Sequence, residues 1–437
     1  MIGLVMVLAL LHASSPSSGT ADYHDTSVQL FQKYVQIKTT THNNLSEAAG
    51  VEFWRHLAKK ANVPISVYEY AVGYPIVVLK WAGTDSSQKS IMLNSHMDVV
   101  PAAAEDGWSH DPFSGHIDAN GDIYGRGTQD MKSVSIQYYE AQRRLKNNNI
   151  TFPRDVYMTI MPDEEVGGGY GMIPFLKSDE FAAMNVGIAL DEGAPLPLDT
   201  IALFYQDKVV WQIQVDCYGV SAHGSTFPMT NNTATGKCRN VIDRFFAFRD
   251  EQYEISKRAP VNFAGEYTSV NLNRMYAGTA NNVIPGHVTL VFDMRLGTTV
   301  VEEEFNATLH EWIAEAGENI TLTYIIMNRQ SPATVANSSN PYYNAISRAT
   351  SDLGLTILPM VPPGSTDARH LRSAGYSAFG FSPMPNTTLL LHSVDERLNV
   401  KTFMRGIDIY EKIISNLVNI PSHLTDAFHK TYDINWV

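Results

Sequence analysis

The spacing of hydrophobic positions along the chain predicts an alternation of helices and strands. Apolar residues three and four apart predict helices over residues 28–35 and 48–63. Alternating or clustered apolar residues predict strands at 65–70 and 75–81, and these lead to a short apolar run at 91–93. Helices interleaved with buried strands are typical of an α/β sheet with helices packed on it.

The predicted buried strands are followed directly by acidic residues or histidine. His96 follows the run at 91–93, and acidic clusters follow the predicted strands 156–161 and 186–190. In α/β sheets the working residues lie beyond the carboxyl ends of the strands. We therefore expect one shared edge for five residues: His96, Asp130, Glu164, Glu165 and Glu192.

The pattern changes near residue 207, where long alternating strands and two long helices predict an inserted α+β unit. Helix and short strand alternate again from residue 341 to a last long helix. The predicted fold is an α/β catalytic domain with a central sheet flanked by helices and an inserted α+β lid or dimerisation domain. The predicted segments are a leader (1–21), the first catalytic part (22–206), the insert (207–318) and the second catalytic part (319–437).

Composition narrows the classes of partner. The chain has 437 residues, of which 44% are hydrophobic and 18% charged, as expected for a folded globular protein. Its formal net charge of −13 argues against binding to nucleic acid or to an anionic membrane surface. After the leader, no stretch is long and apolar enough for a transmembrane helix.

The N-terminal region predicts export. Residues 1–11 are almost wholly apolar, too short to span a bilayer, and followed by small and polar residues, as in a signal peptide. No Lys or Arg precedes this run, so an unanchored tail is the alternative. Secretion and glycosylation are also indicated by seven Asn-x-Ser/Thr sequons, which begin at Asn44, Asn149, Asn231, Asn306, Asn319, Asn337 and Asn386.

Cysteine content restricts the chemistry of any metal site. With only Cys217 and Cys238, the chain has neither a disulfide scaffold nor a thiolate zinc cluster. One disulfide and two free buried thiols both remain open. A metal site must then be built from His, Asp and Glu.

The candidate metal ligands are His96, Asp130, Glu165, Glu192 and His392. Imidazole and carboxylate groups suit zinc, cobalt or manganese. A bridging carboxylate allows two metals to share a water molecule, and Asp130 is the candidate bridge because its turn lies between the other ligands. The alternatives are an ordinary His96–Asp98 hydrogen-bonded pair and a plain acidic turn at 163–165. Three acidic strand ends aligned with one histidine favour the metal site.

Neighbouring residues predict supporting roles. His96 and Asp98 are two apart in extended chain and face the same side, so the carboxylate can orient the imidazole. Side chains of Glu164 and Glu165 diverge, so one can bind metal while the other acts as a general base on water.

These motifs resemble the co-catalytic zinc peptidase and amidohydrolase family of the aminoacylases and related carboxypeptidases. The resemblance extends from about residue 22 to the end. It rests on ordered segments at 96–98, 125–130, 162–168, 190–193 and 391–392, with further shared segments at 220–224, 268–272, 282–285, 380–384 and 395–398.

The resemblance implies two zinc ions and a division of roles among these residues. One zinc would be held by His96, Asp130 and Glu192, and the other by Asp130, Glu165 and His392. Glu164 would be the general base and Asp98 would orient His96. Asp191 remains an alternative to Glu192 as a ligand.

For the insert, the resemblance implies a homodimer in which His223 reaches the partner subunit's active site and donates to the oxyanion, with Asn282 also contributing to substrate binding. Arg369 would bind the substrate carboxylate. Gly364 and Ser365 stand where aminoacylases commonly carry two alanines, so the pocket beside Arg369 is expected to differ in shape.

The expected activity is the zinc-dependent hydrolysis of N-acyl-L-amino acids to a carboxylate and a free L-amino acid. A metallo-dipeptidase or carboxypeptidase on the same scaffold is the nearest alternative. A non-catalytic binding module is disfavoured because every ligand position and the base are present. An acidic calcium-binding protein is disfavoured because no Asp-x-Asp loop has the required spacing.

Overall fold

A computed structural model describes residues 21–41 and 44–432 of the chain. The predicted leader therefore falls, apart from Ala21, outside the described residues. Among the helices in these two ranges, none has the length and apolar character needed to cross a membrane.

The helices and strands follow the predicted order. The helices are α1 Ala21–Val35, α2 Asn44–Ala61, α3 Lys132–Asn147, α4 Met172–Phe175, α5 Asp179–Ala183, α6 Ala234–Arg258, α7 Glu302–Ala316, α8 Pro341–Asp352, α9 Ala368–Ser373, α10 Val400–Val418 and α11 Ser422–Tyr432. The strands are β1 Ile65–Glu69, β2 Pro75–Trp81, β3 Ser90–His96, β4 His116–Ile117, β5 Asp122–Tyr124, β6 Val156–Met161, β7 Val186–Asp191, β8 Ile201–Phe204, β9 Val209–Tyr218, β10 Ala222–His223, β11 Ser269–Ala277, β12 Val283–Ile284, β13 His287–Leu296, β14 Ile320–Met327, β15 Ile357–Met360, β16 Ser377–Phe381 and β17 Arg397–Asn399.

A mixed sheet forms the centre of the catalytic domain. Within the described chain it has eight strands in the order β1-β2-β6-β3-β7-β16-β8-β15. The neighbours β6, β3, β7 and β16 run parallel, whereas β2 is antiparallel to β6 and β8 to β16. Successive side chains of these strands point to opposite faces of the sheet, and both faces are buried. Because β6, β3 and β7 are parallel neighbours, their carboxyl ends lie together at one edge.

Helices cover both faces of this sheet, as predicted. Ile91 and Leu93 of β3 face one core, which also contains Phe403 and Ile407 of α10. Met92, between them in sequence, faces the smaller core formed with α4, α5 and α9. This alternation explains why an unbroken apolar run forms a strand buried on both sides. The α/β prediction is confirmed.

The insert is a separate layer with its own core. Its sheet has the order β11-β13-β9-β14, all antiparallel, and helices α6 and α7 pack on one face. Strand β14 pairs with β9 from Ile320↔Cys217 to Met327↔Trp211 and lies beyond the predicted limit of the insert at residue 318. The insert thus continues to the end of β14, because the edge of its sheet is completed by a strand that follows α7.

Cys217 of β9 and Cys238 of α6 form a disulfide inside the core of the insert, with a Cα–Cα distance of 5.9 Å. The bond joins β9, an inner strand of the sheet, to the helix packed on it. Of the two states left open by the sequence, the structure contains the disulfide.

Candidate dinuclear metal centre

The carboxyl ends of three parallel strands supply most of the site. His96 is the last residue of β3, and Asp191 the last of β7, with Glu192 next. After β6, Pro162 interrupts the strand and a short 3-10 turn, Glu164–Val166, follows. Parallel register brings these three ends side by side, as the strand pattern predicted.

Two loops that are distant in sequence complete the cluster. Asp130 lies between β5 and α3, and His392 between β16 and β17. Strands β5 and β17 pair antiparallel, with Tyr124 opposite Arg397, so the two loops lie on the same side of this small sheet. Gly127, at φ +88°, allows the turn before Asp130 to pass Val99, where a side chain would clash.

One group of ligand atoms is deeply buried, and we call it the buried subsite: His96, Asp130 and Glu192. His96 Nε2 lies 3.1 Å from Asp130 Oδ1 and 3.6 Å from Glu192 Oε2. Asp191, the alternative to Glu192, instead accepts a hydrogen bond of 2.8 Å from Asn94 Nδ2. The structure therefore brings Glu192 rather than Asp191 into the group.

The second group faces the cavity, and we call it the open subsite: Asp130, Glu165 and His392. His392 Nε2 lies 3.1 Å from Asp130 Oδ2 and 3.0 Å from Glu165 Oε2. Asp130 thus directs one oxygen to each histidine. This is the arrangement expected of a bridging carboxylate.

Electrostatics at the site favour a bound cation. Burial, together with the charge of Asp130, raises the pKa of Glu165 to about 7 and that of Glu192 well above its usual range. Hydrogen bonds to Asp130 and Glu165 raise the pKa of His392 to about 10. The crowded carboxylates therefore create a field that binds positive charge, and divalent cations would replace the protons they otherwise take up.

The donor set fits a pair of transition-metal ions. Each group offers one imidazole nitrogen and two carboxylate oxygens, and within each group these atoms lie within 4.8 Å of one another. The buried oxygens Glu165 Oε1 and Glu192 Oε2 have no hydrogen-bond partner in the described chain. Unpaired buried carboxylate oxygens are costly, and metal coordination would satisfy them.

Asp98 supports the site differently from the simple pair that the sequence predicted. His96 Nδ1 is 2.8 Å from the main-chain oxygen of Asp98 and 3.4 Å from its carboxylate. The carboxylate accepts hydrogen bonds from the main-chain nitrogens of Glu164 (3.1 Å) and Glu165 (3.0 Å). Asp98 therefore orients His96 and also fixes the turn that carries both glutamates.

Glu164 lies on the wall of a cavity of about 710 Å³ together with Asp130, Glu165, Glu192 and His392. Its carboxyl group is buried, and burial with the nearby charge of Glu192 raises its pKa well above the usual value. A buried carboxyl group beside two metal subsites is suited to take up and release a proton.

Arg369 lies in the same cavity, where its side chain is held by three hydrogen bonds. Nη1 donates to Ser365 Oγ (3.0 Å) and Thr366 O (3.0 Å), and Nη2 donates to Gly167 O (3.3 Å). Its buried Nε has no partner in the described chain. The Ser365 hydroxyl thus helps to fix the guanidinium, while Nε and one Nη2 hydrogen have no partner among the described residues.

Two predicted residues are not brought to the cavity within one chain. His223 is exposed on β10, with Nδ1 2.8 Å from Ser225 Oγ. It pairs with Val283 of β12, and Asn282 directly precedes that strand. Neither lines the cavity. The main-chain oxygen of Asn282 accepts a hydrogen bond of 2.7 Å from the nitrogen of Gly224.

Sequence reasoning missed the part of the cavity wall that the insert supplies. Strands β9, β13 and β14 and the residue after β14 contribute Val210, Gln212, Arg295, Ile326 and Asn328. No motif marks these residues, since their place depends on how the insert packs over the sheet edge. Their alternate positions on strands were the only available signal.

The chain is similar in sequence to known proteins. The sequence profile of peptidase family M20/M25/M40 matches residues 92–416. Aminoacylase-1 of Homo sapiens is 41% identical over 411 residues, which cover 94% of this chain and 100% of the relative. Aminoacylase-1 of Dictyostelium discoideum is 36% identical over 90% of this chain and 98% of the relative.

Solved structures show the same fold at low identity. Human carnosine dipeptidase 1 has a TM-score of 0.68 and 15% identity, covering 91% of this chain and 97% of that chain. A dinuclear metal-binding peptidase of the M20 family from Bacillus subtilis has a TM-score of 0.64 and 15% identity, covering 92% and 99%. At these identities the likeness concerns the fold.

Proposed function

The chain belongs to peptidase family M20/M25/M40, as its motifs predicted, and from this premise we propose that its two metal subsites bind zinc and hydrolyse N-acyl-L-amino acids. The products are a carboxylate and a free L-amino acid. The identity of 41% to an aminoacylase-1 over nearly the whole chain supports this substrate class. The observation that carries the proposal is Asp130, which directs one carboxylate oxygen to each of two histidines.

The buried subsite would hold one zinc ion and the open subsite the other. Bound there, the metals would polarise the amide carbonyl and lower the pKa of water. Glu164 takes the proton from the attacking water and delivers it to the amide nitrogen, so that the C–N bond breaks and a neutral amine leaves. Asp98 keeps Glu164 in place through the main-chain nitrogen of that residue.

Arg369 binds the substrate carboxylate in this proposal. Its Nε and the remaining Nη2 hydrogen form a side-on pair of donors, which matches the two oxygens of a carboxylate. Binding at this place leaves the amide of the substrate near the metal subsites, because one cavity contains them all.

The proposal is tested with Glu164→Gln, which keeps the shape of the side chain and removes its basicity. We expect kcat to fall by about 10²–10⁴-fold, with zinc content unchanged. Retained deacylation in this variant would exclude Glu164 as the base, and a folded, active protein that binds no zinc would exclude zinc as the metal.

A substrate panel separates this activity from that of a dipeptidase. N-acetyl and long-chain N-acyl amino acids are compared with dipeptides that carry a free amine. Faster hydrolysis of the N-acyl compounds is expected, and faster hydrolysis of the dipeptides would favour the alternative.

We also propose a homodimer in which His223 donates to the oxyanion at the partner subunit's active site. His223 is exposed, and the segment that follows it in sequence carries two exposed apolar residues, Phe227 and Met229. A mixture of His223→Ala and Glu164→Gln subunits should regain activity that neither variant has alone. A fully active monomer in sedimentation would contradict this.

Export and glycosylation are proposals of the same kind. Among sequons whose side chains are described, Asn149, Asn231, Asn319, Asn337 and Asn386 are exposed, and Asn306 is half-buried; the side chain of Asn44 lies outside the described part. The disulfide is consistent with an oxidising compartment. Secretion of the full chain into culture medium, with a mass that falls on glycosidase treatment, is the expected result.

A further inference from the structure

The loop that carries His392 differs from the supports of the other ligand residues. His96 ends a central strand, Glu192 directly follows another, and Glu165 lies in the short turn after a third. The His392 side chain is 51% exposed and its residue has φ +59°. Something other than the central sheet must hold this loop against Asp130.

Glu396 is a buried carboxylate that binds the main chain at the bridging ligand Asp130. It is fully buried, and Oε1 accepts hydrogen bonds from the main-chain nitrogens of Gln129 (2.7 Å) and Asp130 (3.3 Å). Its other oxygen accepts from Arg126 Nη1 at 2.8 Å. One carboxylate therefore links the segment before the bridge to the guanidinium of Arg126.

Arg126 extends this link to the second loop. Its Nη1 also donates to the main-chain oxygen of Ser393 (3.1 Å), and Nη2 donates to that of His392 (3.3 Å). The guanidinium carbon lies 5.2 Å from the ring centre of Trp108, which covers the group. The fork of donors contacts two successive carbonyls, a geometry that a lysine cannot reproduce.

Gln129 adds a third connection between the same segments. Its Oε1 accepts from the main-chain nitrogen of Leu390 (2.9 Å), and its Nε2 donates to the oxygens of Thr388 (3.0 Å) and Arg397 (2.8 Å). The hydrogen bonds of Gln129 therefore reach the chain on both sides of His392.

We propose that Glu396 and Arg126 are positioning residues that hold His392 against Asp130, so that the open subsite retains its metal. The inference rests on the proposed dinuclear site. Neither side chain reaches the cavity wall, so both act through the main chain of ligand residues. Partners of this kind typically change metal affinity by about 10–100-fold.

The test compares Glu396→Gln with Glu140→Gln in the zinc-loaded protein. Glu140 is an equally buried glutamate in α3 that is paired with Arg143, 2.6 Å away, and with Ser27. Each protein is dialysed against graded concentrations of a chelator, and the retained zinc is measured by mass spectrometry. Thermal unfolding is recorded in parallel.

In Glu396→Gln, one of the two zinc ions should be lost at a chelator concentration about 10–100-fold lower than in the unmodified protein. The second ion should be retained as before, and Glu140→Gln should keep both ions. If Glu396→Gln fails to fold, Arg126→Lys gives the same comparison, since it keeps the charge and loses the fork.

The proposal is overturned if Glu396→Gln and Arg126→Lys keep two zinc ions as tightly as the unmodified protein. It is also overturned if the two ions are lost together, or if Glu140→Gln loses zinc as Glu396→Gln does. These outcomes concern metal retention without substrate. They are therefore distinct from a failure of the proposed activity, in which the unmodified protein would bind two zinc ions and hydrolyse no N-acyl amino acid.

Discussion

The two metal subsites share Asp130 but are built by different parts of the molecule. In the buried subsite, the His96 side chain is 1% exposed and follows the register of the central sheet. In the open subsite, the His392 side chain is 51% exposed and comes from a loop before β17. One half is thus set by the core, and the other by hydrogen bonds between loops.

This difference suits hydrolysis at the edge of a sheet. A ligand fixed by parallel strands keeps its place at little further cost, because the strands are packed on both faces. A ligand on an accessible loop leaves room for substrate and water on the cavity side. The contrast predicts that substitutions in the two subsites have different consequences for metal content and folding.

The largest effect is expected from the shared ligand. Asp130→Ala removes an oxygen from each subsite, so both metals should be lost or strongly weakened. The loss of activity should exceed the 10²–10⁴-fold typical of removing a general base alone. The loss of metal is measured as zinc content by mass spectrometry, and the loss of activity as kcat/KM on an N-acyl amino acid. A variant that keeps one tightly bound zinc would show that Asp130 does not bridge.

A paired substitution of the two histidines should separate the subsites. His96→Ala and His392→Ala should each lose one zinc ion and most activity. Each substitution leaves buried carboxylates without an imidazole partner, but only His96→Ala also empties a fully buried position. We therefore expect His96→Ala to lower the unfolding free energy by about 1–3 kcal/mol more than His392→Ala does.

This comparison is made on chelator-treated proteins, so that lost metal does not contribute to the difference in stability. Chemical denaturation supplies both unfolding free energies. Equal destabilisation by the two substitutions would mean that the open subsite is as integral to the core as the buried one.

The predictability of the site from sequence follows the same division. His96 and Glu192 were marked by their places at strand ends, because an apolar strand fixes where its last residue lies. His392 was also a candidate ligand, but no strand or helix pattern predicted its place beside Asp130. Its hydrogen bonds with Arg126 depend on the pairing of β5 with β17, which two short strands do not reveal in sequence.

The fold shows a parallel contrast. The strands of the central sheet were predicted from apolar runs, and Val156–Met161 has the predicted limits. The insert extends past its predicted end at residue 318, since β14 is half-exposed and its affiliation depends on pairing with β9. Likewise, the pairing of Cys217 with Cys238 depends on how α6 packs on the sheet.

The turn that carries Glu165 has a further support, whose effect on stability is expected only at acid pH. His370 Nε2 lies 3.0 Å from the main-chain oxygen of Gly167, two residues after Glu165, and donates a hydrogen bond to it. Burial, and then the charge of Arg369, lower the pKa of His370 to about 4. The imidazole therefore stays neutral in the folded protein at pH values where it is protonated in the unfolded chain.

Between about pH 6.5 and pH 4 the unfolded state binds one more proton at His370 than the folded state, so the stability of the fold falls as pH falls through this window. The contribution reaches up to about 3 kcal/mol below pH 4. His370→Gln, which keeps an amide donor and does not titrate, should reduce the loss of unfolding free energy between pH 7 and pH 4, while differing little from the unmodified protein at pH 7. Denaturation curves at both pH values give the change in unfolding free energy between pH 7 and pH 4 for each protein. Equal changes would show that His370 does not contribute to the acid sensitivity of the fold.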